Sequence, residues 1–288
     1  MTCTVAIVNW NSGRLLRTCI ESLLVTATSA DILVIDNAST DDSLESAEGF
    51  RKRVDIVQNS VNRGFAAAVN QAFRTSSTPY VLILNPDIRV LPGSVQILEE
   101  FMDSHPRAAA VGGYVGEKYL PKAFPTMSRL ILENLGAGKW WNYPLPLGEG
   151  RVRVPHPAPI PVDQPAGAAL MIRRDAYEEA GGFDEQFYPA WYEDVDFCRR
   201  VKAQGWEIFF LPAAEFLHSG GYSAETLGSE SFLGAYYGNQ LRYARKHFGS
   251  MGSVAVRASV AAGMIGRMIA RPQQARAYGK VFFGALKG

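Results

Sequence analysis

The sequence predicts an α/β protein: a doubly wound mixed sheet flanked by helices, followed by a helical, basic C-terminal extension. Three observations carry this. Short apolar runs alternate with helix-periodic segments over roughly the first hundred residues, the pattern of successive βα units joined by right-handed crossovers. Tyr80–Leu84 is apolar throughout and stops at Asn85-Pro86-Asp87, as suits a strand covered on both faces. No Asp or Glu follows Glu230, whereas nine Lys or Arg do.

The elements follow in order. Cys3–Val8 is a first strand, ended by Asn9-Trp10-Asn11-Ser12-Gly13. Leu15, Leu16, Cys19, Ile20 and Leu23 recur at helical spacing and give an amphipathic helix. Ile32–Ile35 is a second strand that ends at Asp36-Asn37-Ala38-Ser39-Thr40-Asp41-Asp42, where Ser39 or Thr40 suits the cap of a short helix. Val54–Val57 is a third strand, ended by the polar run Asn59 to Gly64, and Phe65–Arg74 is an Ala-rich helix. Tyr80–Leu84 is the fourth strand, and Pro86, with no N–H for the ladder, ends it. Leu91–Met102 reads as a helix and Ala109–Val111 as a fifth strand. Polar clusters thus follow the first, second and fourth strands and gather along one edge of the sheet. Asp87 lies just past a strand's carboxyl end, where open α/β sheets bind ligands. It suits either a hard divalent cation that holds phosphates or a simple Asx turn.

Tyr114–Pro161 changes character, with eight prolines and the aromatic run Trp140-Trp141-Asn142-Tyr143. Such a stretch is a lid facing sugar or lipid, or a packed surface loop. Ala168–Ile172 is again a strand and Asp175–Ala180 a short helix. Gly181-Gly182-Phe183-Asp184-Glu185 is a turn leading to Trp191-Tyr192-Glu193-Asp194-Val195-Asp196. From Glu193 a helix begins with an acidic first turn, as its dipole favours. Ile208–Leu211 is a final strand and His218-Ser219-Gly220-Gly221 a flexible turn.

A chain of 288 residues, 47% hydrophobic, holds a sizeable core. Its net charge of +1 gives no reason to expect a nucleic-acid partner, but it hides an asymmetry: the first 230 residues carry 20 basic and 28 acidic side chains. Three widely spaced cysteines argue against a disulfide framework or a zinc site and suit a reducing compartment. No signal-peptide pattern precedes the first apolar run, and no stretch reaches the ~18 uncharged apolar residues of a membrane span. The expectation is a cytoplasmic protein, soluble or peripheral on the inner face of the cell membrane. No G-x-G-x-x-G follows a strand and no G-x-x-x-x-G-K-[ST] occurs. That sets aside dinucleotide oxidoreductases and P-loop enzymes, and leaves phosphates to be held by a metal on acidic residues.

The stretches VAIVNWNS, ILVIDNASTDDS, NRGFAAAVNQAF, YVLILNPD, PAGAALMIRRDAYEEAGGFDE, YEDVDFCRR and HSGG occur in an order that resembles the inverting glycosyltransferases of family 2, which have the GT-A fold. The resemblance covers roughly residues 3–221 and is nearest to the bacterial rhamnosyltransferase-like members. It implies a catalytic domain over residues 1–239, with a nucleotide-binding part to about 112 and an acceptor-side part over 113–239, and an extension over 240–288. It also implies roles. Asp36 would accept the imide N–H of a pyrimidine base, with Asn9, Asn11 and Asn37 nearby and Arg63 and Gly64 at the nucleotide or its phosphates. Asp87 would bind Mn²⁺ or Mg²⁺, although Asn85 replaces the first acid of the family's D-x-D, and His218 would be a second ligand. Asp194 would be the general base that an inverting transfer needs, with Glu193 and Asp196 as rivals. Gly167, Trp191 and Glu193 would face the sugar or acceptor.

The implied reaction moves a sugar from a nucleotide diphosphate sugar to a hydroxyl of a bacterial cell-surface glycan or lipid-linked acceptor. L-Rhamnose from dTDP-rhamnose is the favoured donor. A UDP-sugar transferase, a nucleotide-sugar hydrolase and a catalytically silent nucleotide-sugar or glycan-binding module are the rivals. In the basic tail, a helix would bring Arg257, Arg267 and Arg271 within ~80° of one another. The tail therefore reads as a surface resting on anionic lipid or as a helical cap packed on the protein.

Overall fold

The computed structural model describes residues 3–27, 29–137, 158–220 and 226–287. The sheet is built outward from β1 (Cys3–Asn9), which is buried at every position. α1 (Arg14–Thr26) returns the chain to β2 (Asp31–Asp36), which runs parallel to β1 with Asn9 beside Asp36. α2 (Ser43–Ala47) leads to β3 (Asp55–Gln58), parallel to β2. After α3 (Phe65–Thr75) the direction of winding changes, because β4 (Tyr80–Leu84) pairs with the other side of β1. This reversal opens a crevice at the carboxyl ends of β1 and β4, the place where open α/β sheets take ligands.

The remaining strands make the sheet mixed. β5 (Ile88–Val90), α4 (Ser94–Ser104), β6 (Ala108–Tyr114), β7 (Ile160–Pro161), β8 (Ala169–Arg173), α6 (Arg174–Glu179), α7 (Glu193–Ala203) and β9 (Glu207–His218) follow, with α5 (Met127–Asn134) between β6 and β7. Among the described residues the sheet has nine strands in the order β3-β2-β1-β4-β8-β6-β9-β5, with β7 also on β9. β8 is antiparallel to β4 and β6, and β9 is parallel to β6. The amino end of β8 and the carboxyl end of β4 therefore share an edge, where Asn85 N donates to Ala168 O at 3.0 Å.

Several details depart from the sequence expectation. The helix expected from Leu91 begins at Ser94, because Ile88–Val90 forms the short strand β5 antiparallel to the end of β9. β9 does not stop at Leu211. Opposite it, Gly113 pairs with Leu211 and Tyr114 with Glu215, so Pro212 falls in a bulge where no N–H is needed and the strand resumes. His218 is consequently the last residue of a strand rather than part of a flexible turn. Neither Ser39 nor Thr40 caps α2, whose first flanking residue is Asp42. The stretch expected to be irregular contains α5, capped by Thr126 Oγ1, which accepts from Arg129 N at 3.2 Å. The Trp140–Tyr143 run lies outside the described residues.

The chain divides into two compact units. The first comprises Met1–Ala123, Pro144–Glu185 and Glu193–Tyr222, and its core is formed by the sheet strands with α1 and α4. The second comprises Phe124–Tyr143, Gln186–Tyr192 and Ser223–Gly288. It contains α5 and three longer helices, α8 (Ser229–His247), α9 (Gly249–Ala270) and α10 (Ala275–Lys287). Tyr237, Val260, Met264, Tyr278, Val281 and Ala285 form its apolar centre. The position 239/240 lies within α8. At Gly263 a Cβ would stand 2.0 Å from Asn134 O, so only glycine lets α9 approach α5 this closely. Arg267 and Arg257 point into the unit: Arg267 Nη1 donates to Asn134 O at 2.7 Å and Arg257 Nη1 to Ala285 O at 3.2 Å. They therefore cap helix carbonyls and do not form the outward cationic face expected of them. α9 is nevertheless long and apolar enough, by length and composition, to cross a membrane, and a third of that stretch is buried within the protein.

Candidate functional site

At the carboxyl ends of β1 and β2, Asp36 is fully buried and held from several directions. Asn9 Nδ2 donates to its Oδ1 at 2.7 Å, and Ser39 donates to Oδ1 through its hydroxyl at 2.6 Å and to Oδ2 through its backbone N–H at 3.1 Å. Ser12 Oγ in turn donates to Asn9 Oδ1. Asn11 joins the same loop: its N–H donates to Ser39 Oγ at 2.9 Å, and its Oδ1 accepts from Thr40 N at 2.7 Å. The Asp36 carboxylate is thus fixed in direction, and Oδ2, with one bond accepted, retains room for another donor. Asn37 braces the next loop, donating to Gly64 O at 3.1 Å and accepting from Asn59 Nδ2 at 3.0 Å. Arg63, beside it, is exposed and forms no ion pair among the described residues.

Asp87 and His218 meet because β5 pairs antiparallel with the end of β9. Asp87 Oδ2 lies 3.1 Å from His218 Nε2 and accepts from Gly220 N at 3.2 Å. Both side chains are nearly buried, and the Tyr119 ring lies 4.5 Å from the imidazole. His218 Nδ1 is buried without a hydrogen-bond partner. One carboxylate oxygen and one imidazole nitrogen at this separation suit adjacent ligands of a small cation, since two donors each ~2.1 Å from an ion at right angles stand ~3 Å apart. Among the described residues no group of three or more His, Cys, Asp and Glu gathers to enclose a metal. An ion here would need its other positions filled by phosphate oxygens and water, which is usual for Mg²⁺-type sites.

The three acids at the start of α7 differ sharply. Asp196 is fully buried and ion-paired to Arg200 Nε at 2.8 Å, and Arg200 also donates to the carbonyls of Ala180 and Gly182. That carboxylate secures the Gly181-Gly182 turn. Glu193 is buried with Oε2 lacking a partner, and burial, with Asp194 beside it, pushes its carboxyl well above the ordinary range. Asp194 is partly exposed, and Oδ1 accepts from Val195 N at 2.8 Å. Burial raises its pKa too, against the lowering effect of backbone hydrogen bonds and Lys122. A Cβ at Gly167 would stand 2.8 Å from Asp194 Oδ2, so the glycine makes the space this carboxylate occupies. Gly167 precedes Ala168 at the edge shared with β4, which places Asp194 on the same edge as Asp36, Asp87 and His218.

Trp191 and Tyr192 belong to the second unit. Both have left-handed backbones, with φ of 75° and 73°, a strained state for aromatic residues. Trp191 packs edge-on against Phe232 at 4.8 Å, and Gln240 Nε2 donates to the buried Tyr192 hydroxyl at 3.1 Å.

A family profile described as "Glycosyl transferase family 2" matches residues 4–180. The chain belongs to glycosyl transferase family 2. A second profile, "N-terminal domain of galactosyltransferase", matches residues 155–220. Over 237 residues, the family 2 chain is 29% identical to the N-acetylglucosaminyl-diphospho-decaprenol L-rhamnosyltransferase of Mycobacterium tuberculosis, covering 76% of each. Its fold is similar to that of GalNAc-T7, solved with UDP, GalNAc and Mn²⁺, with a TM-score of 0.60 and 18% identity over 76% of this chain and 44% of that one. It is equally similar to S. aureus TarS, solved with UDP-GlcNAc, with a TM-score of 0.60 and 14% identity over 99% of this chain and 81% of that one. The sheet is therefore a GT-A sheet, and the protein is a glycosyltransferase that acts on a nucleotide sugar.

Sequence reasoning did not assign several polar residues that brace the loops at and near the candidate site. Ser39 bridges the Asn9–Asp36 pair, and Ser43 Oγ accepts from Asn9 Nδ2 at 3.1 Å and donates to Asp41 Oδ1, although both serines sit in the quoted ASTDDS stretch. Asn70 is the clearest omission. Its Nδ2 donates to Phe183 O and Glu185 Oε1, each at 2.9 Å, while its Oδ1 accepts from Phe183 N and the Tyr177 hydroxyl, also at 2.9 Å. A polar residue on the inner side of an Ala-rich helix was the available signal.

Proposed function

We propose that this glycosyltransferase moves L-rhamnose from dTDP-L-rhamnose, with inversion, to a sugar hydroxyl of a lipid-linked diphosphate acceptor at the inner face of the cell membrane. The observation that carries the inverting reading is the pairing of Asp194 with Gly167. A partly exposed carboxylate with a raised pKa stands beside a cleared space, on the edge that also bears Asp36 and Asp87. The likeness to the mycobacterial rhamnosyltransferase supports both the donor sugar and the lipid-linked acceptor.

In this reading Asp36 Oδ2 accepts the N3–H of the base, and the serines and asparagines around it prevent the carboxylate from turning away. Asn37 and the Gly64 loop flank the nucleotide, with Arg63 free to meet its phosphates. Asp87 and His218 would hold a divalent cation, whose contribution is to offset charge on the leaving diphosphate. Asp194 takes the proton of the acceptor hydroxyl as that oxygen attacks the anomeric carbon from the face opposite the diphosphate. The partly buried setting strengthens it as a base, because the charged carboxylate loses less when it is neutralised. Asp196, held by Arg200, is not free for this role. A silent binding module would gain nothing from an acid kept ready in this way.

The UDP in both similar solved structures favours a second donor reading within the same mechanism. The base discriminates weakly, since thymine differs from uracil by one methyl, worth only ~1–3 kcal/mol in an apolar pocket. Competing dTDP-rhamnose against UDP-glucose, UDP-galactose and UDP-N-acetylglucosamine in a transfer assay decides between them. Preferential rhamnosyl transfer is expected. Faster transfer from any UDP sugar would discard the rhamnosyl assignment.

A further inference from the structure

The outer face of α9 bears an apolar stripe that the second unit leaves uncovered. Met251, Val254, Ile265 and Ile269 are 86%, 64%, 46% and 78% exposed, and Ala258 and Ala262 between them are exposed as well. At 100° per residue these six positions fall within an arc of about 80°, along roughly 27 Å of helix. No charged or polar side chain stands in that arc. Arg257 and Arg267 project from the other side of the helix, where they reach backbone carbonyls, and Val256, Val260 and Met264 on that side are fully buried. A helix buried on one face and apolar on the other is unusual for a surface in water.

We propose that this stripe is a membrane-docking face that lies in the interface of an anionic lipid bilayer. The charge around it identifies the occupant. The last 58 residues hold nine Lys or Arg and no Asp or Glu, and Arg245, Arg271 and Lys287 are exposed without an ion pair among the described residues. An apolar strip carried by so basic a segment matches a negatively charged headgroup layer. A second copy of the chain fits worse, because a two-fold contact through this face would bring together two copies of the same acid-free, basic segment. A spanning role fits worse too, since it would strip Val260 and Met264 from the centre they share with Tyr237 and Tyr278. The proposal does not depend on which sugar is transferred.

The test uses the full chain. Wild-type protein, a Met251→Ser/Val254→Ser/Ile265→Ser/Ile269→Ser variant and an Arg271→Glu/Lys287→Glu variant are sedimented with vesicles of phosphatidylcholine alone and with added phosphatidylglycerol. Circular dichroism and melting confirm that each is folded, which exposed substitutions should permit. Wild type is expected to bind the anionic vesicles and to be released by alkaline carbonate. The apolar variant should bind roughly tenfold less or weaker still, and the charge-reversed pair should lose the preference for phosphatidylglycerol. Wild-type binding by the apolar variant would overturn the proposal, as would resistance to carbonate. So would a wild-type dimer in ultracentrifugation that the apolar variant converts to monomer while neither binds vesicles.

Discussion

In the role proposed for it, Asp194 has to be charged to accept a proton and yet hold that proton well enough to be a useful base. Its burial reconciles the two by raising its pKa from the ordinary carboxylate range. The sign follows directly: the base form is lost as pH falls through this raised value, so the acid limb of kcat/KM should lie above that of an exposed aspartate. Asp194→Asn keeps the shape, fits the space beside Gly167 and cannot take the proton. Turnover is expected to fall by about 10² to 10⁴, the acid limb should disappear, and donor affinity measured by calorimetry should stay close to wild type. Near-normal turnover in this variant would transfer the role to Glu193. The resemblance favoured Asp194 over its rivals Glu193 and Asp196, but no physical ground for that order was legible in the sequence. Their ranking depends on Arg200 reaching Asp196 and on the depth at which Glu193 is buried, both consequences of packing.

At the scale of elements, regular segments were legible where one local signal dominated. β1, β2 and β4 are short apolar runs with polar ends, and α1 and α3 repeat their apolar residues at helical spacing. The reading failed where tertiary pairing overrode a local signal. Ile88–Val90 is too short to register as a strand and forms one only because β9 lies alongside. Pro212 looked like the end of a strand but occupies a bulge. These two misses concern function, because β5 and the far half of β9 are what bring Asp87 to His218. Asp87 immediately precedes β5 and His218 ends β9, so either proposed ligand can be removed with little change in the frame. Asp87→Ala is expected to abolish, and His218→Ala to weaken, the Mn²⁺-dependent binding of the nucleoside diphosphate, with binding in the presence of a chelator unaltered. Equal Mn²⁺-dependent affinity in wild type and Asp87→Ala would remove the metal assignment.

At the scale of the whole molecule, the change of composition near Glu230 coincides with the start of α8, whereas the extension was expected only from residue 240, inside that helix. The membership of α5 and of Gln186–Tyr192 in the second unit was not legible, since those segments join it through contacts distant in sequence. Among the described residues, the apolar cluster of the sheet includes no residue of α8, α9 or α10. This makes removal of Val254–Gly288 informative. The cut falls inside α9 and takes Val260, Met264, Tyr278, Val281 and Ala285 from the cluster, leaving Tyr237 without the rest of it. It also removes Ser259 and Arg267 from the end of α5. Each large apolar side chain so unpacked represents roughly 1.5–3 kcal/mol, more in sum than an isolated α8 of 19 residues can offset. Circular dichroism of the truncated chain should therefore show a helix loss larger than the deleted residues account for. The intact strand core should still bind the nucleoside diphosphate. A truncated chain with helical signal lowered only by the deleted residues, and with the melting temperature of the full protein, would show that α9 and α10 contribute nothing to the fold of the second unit.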